Sequence, residues 1–212
     1  MPNNIINASS SGSGGLITTA ADSGSLELQS DGTTIATLSS TGLTMASGKK
    51  VFSEGSVLQV VSTDYTGTAS STSATPADVS GFSATITPSS ASNKILVFVS
   101  VAFGFANDAY PYVLLKRNGT SISVGASATG TRLNVFLSGT GTSDSGSTTY
   151  RFHQASKSYL DSPSSTSALT YQIQFASPYS GYTGYINRVS DNSDASYVQY
   201  PTSSITLMEI KG

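Results

Sequence analysis

The run "NKILVFVSVAFGFAND" at residues 93–108 constrains the fold more than any other stretch of the chain. Alternation sets Ile95, Val97, Val99, Val101, Phe103 and Phe105 on one face of a strand, and Leu96, Phe98 and Ala102 on the other. A strand that is apolar on both faces needs cover on both, so it is expected to be central and buried on each side. Shorter alternating runs surround it. "SVLQVVSTDY" precedes it, and "GFSATITP" places Phe82, Ala84 and Ile86 on one face before Pro88 ends the strand. In "YVLLKRNGTSISVG", Asn118 and Gly119 separate two runs, a strong hairpin signal because a type I′ turn needs positive φ at both central positions. "TRLNVFLS", "TTYRFHQAS", "LTYQIQFAS", "TGYINRVS" and "SSITLMEIKG" supply further strands. About eight to ten strands joined by turns, with no helical stretch between them, predict an all-β, antiparallel β-sandwich over residues 57–212.

Composition agrees with this. Ser and Thr make up roughly a third of the 212 residues, and charged residues are 10%, against about 25% in ordinary soluble domains. Glu and Lys, which fill exposed helix faces, are scarce. A net charge of −2 gives no electrostatic reason to expect nucleic acid or an anionic membrane surface as partner. Cysteine is absent, which removes disulfides and thiolate metal sites. "MPNNIINASSSGSGG" offers neither a basic n-region nor an apolar h-region, so no secretory signal is expected in it. No run approaches the ~20 apolar residues of a membrane-spanning helix.

Residues 1–56 read differently from the rest. The Ser/Gly-rich stretch up to residue 24 has linker composition, and such a segment orders only when something ties it down, so docking on a larger assembly, or intertwining with copies of itself, is expected. Residues 25–56 hold short apolar pieces between turn signals at Asp31-Gly32, Thr41-Gly42 and Ser47-Gly48. These pieces are too short and too thinly apolar to stand as an isolated sheet. Three copies wound about one axis would bury Leu26, Leu28, Ile35, Leu38, Leu43 and Met45 against their equivalents. The expectation is therefore a virion-attachment and trimeric neck region at 1–56 and a head at 57–212. The other arrangement is a two-hairpin arm folded back on the chain's own head.

Several stretches carry a family resemblance. "TITPSSASNKILVFVSVAF", "LLKRNGT", "DSPSSTSALTYQIQ", "GYINR" and the terminal "SSITLMEI" together resemble the C-terminal domain of tail-fibre and related virion-fibre proteins of marine tailed bacteriophages. "GLITTAADSGSLELQSDGTTIATLSSTG" is similar to repeats of such fibres. The resemblance implies a jelly-roll head of the C1q- and TNF-like kind, a homotrimer, and a place on the virion. It implies a structural fibre protein anchored through its N-terminal segment to other virion proteins, with a head that binds a host-surface receptor, a glycan or a protein. The alternative is a capsid head fibre, a decoration protein or a tail adaptor with a purely structural role.

Catalytic material is sparse, and no enzyme and no cofactor are expected. His153 is the only histidine, and a triad needs a base held between a nucleophile and a carboxylate; His153 reads as a surface or trimer-axis residue pointing the same way as Arg151. Asp191 and Asp194 in "RVSDNSDASY" have the oxygen-rich character of a calcium loop without its spacing, so an ordinary strand connection is the simpler reading. Carboxylate pairs such as Asp108 with Asp144, or Asp161 with Asp191, would have to converge in a cleft for glycosidase chemistry. Tyrosines are more informative. Tyr179, Tyr182, Tyr185, Tyr197 and Tyr200 gather late in the chain, and of these Tyr182, Tyr185, Tyr197 and Tyr200 are candidates for a receptor site or for a subunit interface.

Overall fold

A computed structural model describes residues 25–106, 109–122, 125, 130–139, 151–178 and 181–212. The chain divides into two compact units, Met1–Phe52 and Ser53–Gly212. All regular structure among the described residues is β, and all of its pairings are antiparallel.

In the first unit, β1 (Leu26–Ser30), β2 (Thr33–Ser39) and β3 (Gly42–Met45) form a meander in the order β1-β2-β3. Asp31 (φ 49°) and Gly32 (φ 72°) make the tight first turn, the left-handed pair that a two-residue hairpin requires.

The second unit begins with β4 (Val57–Tyr65), β5 (Ala69–Ser71), β6 (Ala77–Ile86) and β7 (Lys94–Phe105). It continues through β8 (Tyr112–Arg117), β9 (Thr120–Ile122), β10 (Leu137–Ser138) and β11 (Phe152–Asp161), and ends with β12 (Leu169–Ala176), β13 (Gly184–Ile186) and β14 (Ser203–Ile210). One sheet runs β4-β14-β7-β13-β5 with β11 on β7; the other runs β10-β8-β12-β6 with β9 on β8. Their inner faces share one core, the arrangement of a β-sandwich. Ile95, Val97, Val99, Val101, Phe103, Ile205 and Leu207 come from the first sheet, and Phe82, Ala84, Ile86, Val113, Leu115 and Ile173 from the second.

The expected elements are present with three corrections. "TRLNVFLS" forms strand only at Leu137–Ser138: Phe136 enters the core and donates its N–H to Val113 O, but Leu133 is exposed, so its alternation has no face to bury. "TGYINRVS" stops pairing at Ile186, because Asn187 adopts φ 59° and turns its N–H to Ala102 O. Finally, β7 lies inside its sheet as expected, yet only one of its faces is fully covered. Ile95, Val97 and Phe103 are fully buried, whereas Phe98 on the other face is 45% exposed.

Candidate assembly and ligand-binding surfaces

The meander of the first unit presents a two-row apolar face. Cross-strand register aligns Leu26 with Leu38 and Leu38 with Leu43; the adjacent row is Leu28, Ala36 and Met45. Side chains alternate across a strand, so these six share one side of the sheet, while Ile35 is of opposite parity and faces the other way. Ala36 is the only buried hydrophobic residue described in this unit, and Leu43 is 55% exposed. Leu28 and Leu38 are exposed too. Of the six residues expected to line a trimer core, Leu26, Leu28, Leu38, Leu43 and Met45 lie on one surface of the sheet, and Ile35 stands apart.

A second apolar surface lies on the outer side of the six-stranded sheet. Met208 pairs with Val60 on one side and Leu96 on the other, and Leu96 pairs with Leu160. The result is a straight Val60, Met208, Leu96, Leu160 row across four strands. Val60 is 55% and Leu160 49% exposed. The next row is Ser62, Thr206, Phe98 and Ser158, followed by Asp64, Ser204, Ser100 and Ser156. Hydroxyls bond across strands here, Ser62 with Thr206 at 2.8 Å and Ser100 with Ser156 at 3.0 Å, and Gln154 Nε2 donates to Ser100 Oγ at 2.6 Å. Asp64 is the one charged member of these three rows.

The tyrosine set is split by its surroundings. Tyr185 sits in β13 at 8% exposure, with the Arg188 guanidinium 4.2 Å from its ring centre, so its ring is structural rather than a free recognition surface. Tyr182, Tyr197 and Tyr200 are exposed. The Tyr200 hydroxyl donates to Asn192 Oδ1. Asp191 Oδ1 accepts the Ser193 N–H at 2.7 Å, the closed turn of a strand connection. Among the described residues no three His, Asp or Glu side chains are grouped as metal ligands.

His153 stands in β11 opposite Phe103, half-buried. Asp161 is committed to structure: Arg117 Nη1 donates to both of its oxygens at 2.6–2.7 Å, and the Tyr171 hydroxyl donates to Oδ2 at 2.7 Å. Burial, reinforced by the neighbouring Asp161 carboxylate, pushes the Tyr171 phenol far above its usual range. Asp108 and Asp144 lie outside the described residues, as does Tyr179.

Sequence reasoning missed the buried Glu209. Ile205, Leu207 and Glu209 share the inner face of β14, so a carboxylate at core parity was the available signal. It accepts Ser89 N–H (2.7 Å), Ser89 Oγ (2.8 Å), Asn93 Nδ2 (2.5 Å) and Gln59 Nε2 (2.6 Å). Burial opposes the charge, but these four donors outweigh it and hold the carboxyl below its ordinary pKa.

A cleft of about 390 Å3 opens between β5 and the first half of β6. Its cause is local. The β12–β6 register shifts between Gln172 and Gln174, Gly81 takes φ 80°, and Gln172 Nε2 donates to the displaced Val79 O at 2.8 Å. This bulge re-aims residues 77–80 away from the normal pleat.

No protein-family model matches the chain, and no curated protein matches its sequence.

Proposed function

We propose that the chain is a structural fibre protein of a tailed-phage virion. It is anchored by its N-terminal segment, trimerises through the neck and a jelly-roll head, and presents that head to a host-surface receptor. The observation that carries this reading is the uncovered apolar row Val60, Met208, Leu96, Leu160 with Phe98 beside it. Exposed apolar surfaces of this kind mark interaction sites. Four strands at about 4.8 Å spacing and ten residues of β11 at about 3.3 Å rise give a face of roughly 600 Å2 before side-chain relief, close to the ~800 Å2 per partner of a standard interface.

The same face fits another copy better than a foreign partner. Apart from Phe98 and the charged Asp64, its two polar rows are hydroxyls, which donate and accept and are therefore self-complementary, and the two rows that hold Leu96 and Phe98 carry no charge that would meet its like. The first unit repeats the pattern, with leucines aligned across three strands and Leu28, Leu38 and Leu43 exposed. Three copies, the number the resemblance implies, would supply each other's missing core. No reaction is assigned to the chain.

Gold-labelled antibody against residues 57–212, applied to intact particles, tests the placement. Label at the tail supports the receptor-binding fibre; label over the capsid moves the assignment to a head fibre or decoration protein; label on neither overturns the virion reading. Sedimentation equilibrium of the purified chain tests the trimer, and a monomer at micromolar concentration overturns it.

A further inference from the structure

Residues 47–55, between β3 and β4, are exposed at every position and contain no strand. In the first unit Lys49 donates its N–H to Ala46 O at 2.9 Å, closing a turn in which Gly48 takes φ 75°. In the second, the Ser53 N–H bonds Ser56 Oγ at 3.1 Å and the Gly55 N–H bonds Lys211 O at 2.8 Å. Among the described residues no hydrogen bond holds Lys50, Val51 or Phe52, and Val51 is 69% exposed. A protease takes its substrate as an extended strand, so a segment enters the enzyme's groove when it is exposed and has no bonds of its own to break.

This free stretch begins at a pair of basic side chains. Lys50 Nζ lies 6.0 Å from the Phe52 ring centre, the outer limit of a cation–π contact, so little holds it back from a binding pocket. The chain's ten lysines and arginines offer few rival sites. Lys116, Arg117 and Lys157 lie inside strands, Lys94 begins one, and Lys211 is held through both its N–H and its carbonyl. Arg132 and Arg151 lie outside strands, but a cut at either leaves the pieces joined, because β7 still pairs with β14 and β8 with β12. Only a cut at the lysine pair parts the three-stranded meander from the sandwich and leaves every described pairing of the sandwich in place.

We infer that Lys49 and Lys50 form a processing site for a serine protease of trypsin specificity, whose pocket carries a carboxylate for a basic side chain. Hydrolysis adds water across the Lys50–Val51 peptide bond, leaving a carboxylate on Lys50 and an amine on Val51. The cut itself does not depend on the chain's place in a virion; its consequence, release of an anchored head, rests on that reading.

The test is limited digestion of the full chain with a trace of trypsin, followed by intact mass. Cleavage after Lys49 or Lys50 is expected before any other, with residues 51–212 surviving as a folded fragment. Lys49→Gln with Lys50→Gln, both at exposed positions, should slow loss of the full-length chain about tenfold or more. Adding Glu54→Lys to that variant returns a basic residue to the same exposed run, but ahead of the tied Gly55 N–H, and should not restore cleavage. A wild-type chain that survives, first cleavage after Arg132 or Arg151, or equal loss of the wild type and the double-lysine variant would overturn the inference. So would cleavage after position 54, which would make exposure alone sufficient.

Intact particles separate the two readings. Release of residues 51–212 from them by trypsin supports both. If the purified chain is cut at the pair and the particles carry no such chain, the processing site stands and the virion reading falls. If the particles carry the chain and neither they nor the purified chain is cut there, the virion reading stands and the site falls.

Discussion

At the scale of single residues, the polar groups inside the sandwich are costly to disturb, because a buried group left unpaired keeps its desolvation penalty. Glu209 is the clearest case, because its carboxylate accepts four hydrogen bonds while almost fully buried. Its folded-state pKa is depressed. It therefore contributes stability that is fully present above the unfolded carboxyl's pKa and is lost as pH falls through the lower folded value. Thermal melting between pH 7 and pH 3 should show the wild type losing this part of its stability on the acid side of about pH 4.3, the ordinary glutamate value. Glu209→Gln should cost about 1–3 kcal/mol at pH 7, the worth of hydrogen bonds to a charged group, and much less at pH 3. If the two proteins differed equally at both pH values, the anchoring role of the charge would be wrong. Asn187 works without charge: Nδ2 donates to Tyr65 O and Gly67 O, and Oδ1 accepts the Ser203 hydroxyl, so one side chain fastens the end of β4 to the start of β14.

At the scale of elements, the hairpin of β8 and β9 shows both what the sequence makes legible and what it hides. Asn118-Gly119 announces the turn, and both residues take positive φ, 47° and 84°. What the dipeptide does not announce is that Asn118 Oδ1 also accepts the Thr170 N–H at 2.8 Å, fixing the turn to the neighbouring β12. Asn118→Gly keeps the backbone freedom and loses that bond, so it should cost about 1 kcal/mol; Asn118→Ala loses both and should cost about 2–3 kcal/mol. Equal melting temperatures for the two variants would refute this division. The same limit governs the rest of the fold. Local alternation located β4, β6, β7, β11, β12 and β14, because each runs long enough for a period of two to register. It overextended β10 and β13, where tertiary contacts at Phe136 and Asn187 end the pairing. The candidate surfaces were less legible still. The Leu96–Met208 and Val60–Met208 neighbours are far apart in sequence, so no local pattern joins them, and the cleft depends on a bulge that leaves only Gly81 as a trace.

At the scale of the whole molecule, the proposed trimer would be held through two apolar faces, one on each unit of the chain, and its assembly would be multivalent. Once copies associate through one face, the second face finds its equivalents at the effective concentration set by the connecting chain, of millimolar order for short flexible links. Loss of one face should then weaken the assembly without abolishing it. Leu43→Asp places a carboxylate in the leucine row of the first unit, so it should remove the melting transition of that unit and leave the 57–212 head folded. Phe98→Asp places one on the outer sheet face, where the side chain is already 45% exposed in the single chain, so the sandwich itself should keep its fold. Each variant should show a trimer that dissociates at higher protein concentration than the wild type, and the double variant should sediment as a monomer with an intact head spectrum. A double variant that still sediments as a trimer would place the subunit contacts elsewhere. A single variant that is already monomeric at every concentration would mean that only one face holds the assembly, and the one that fails would identify it.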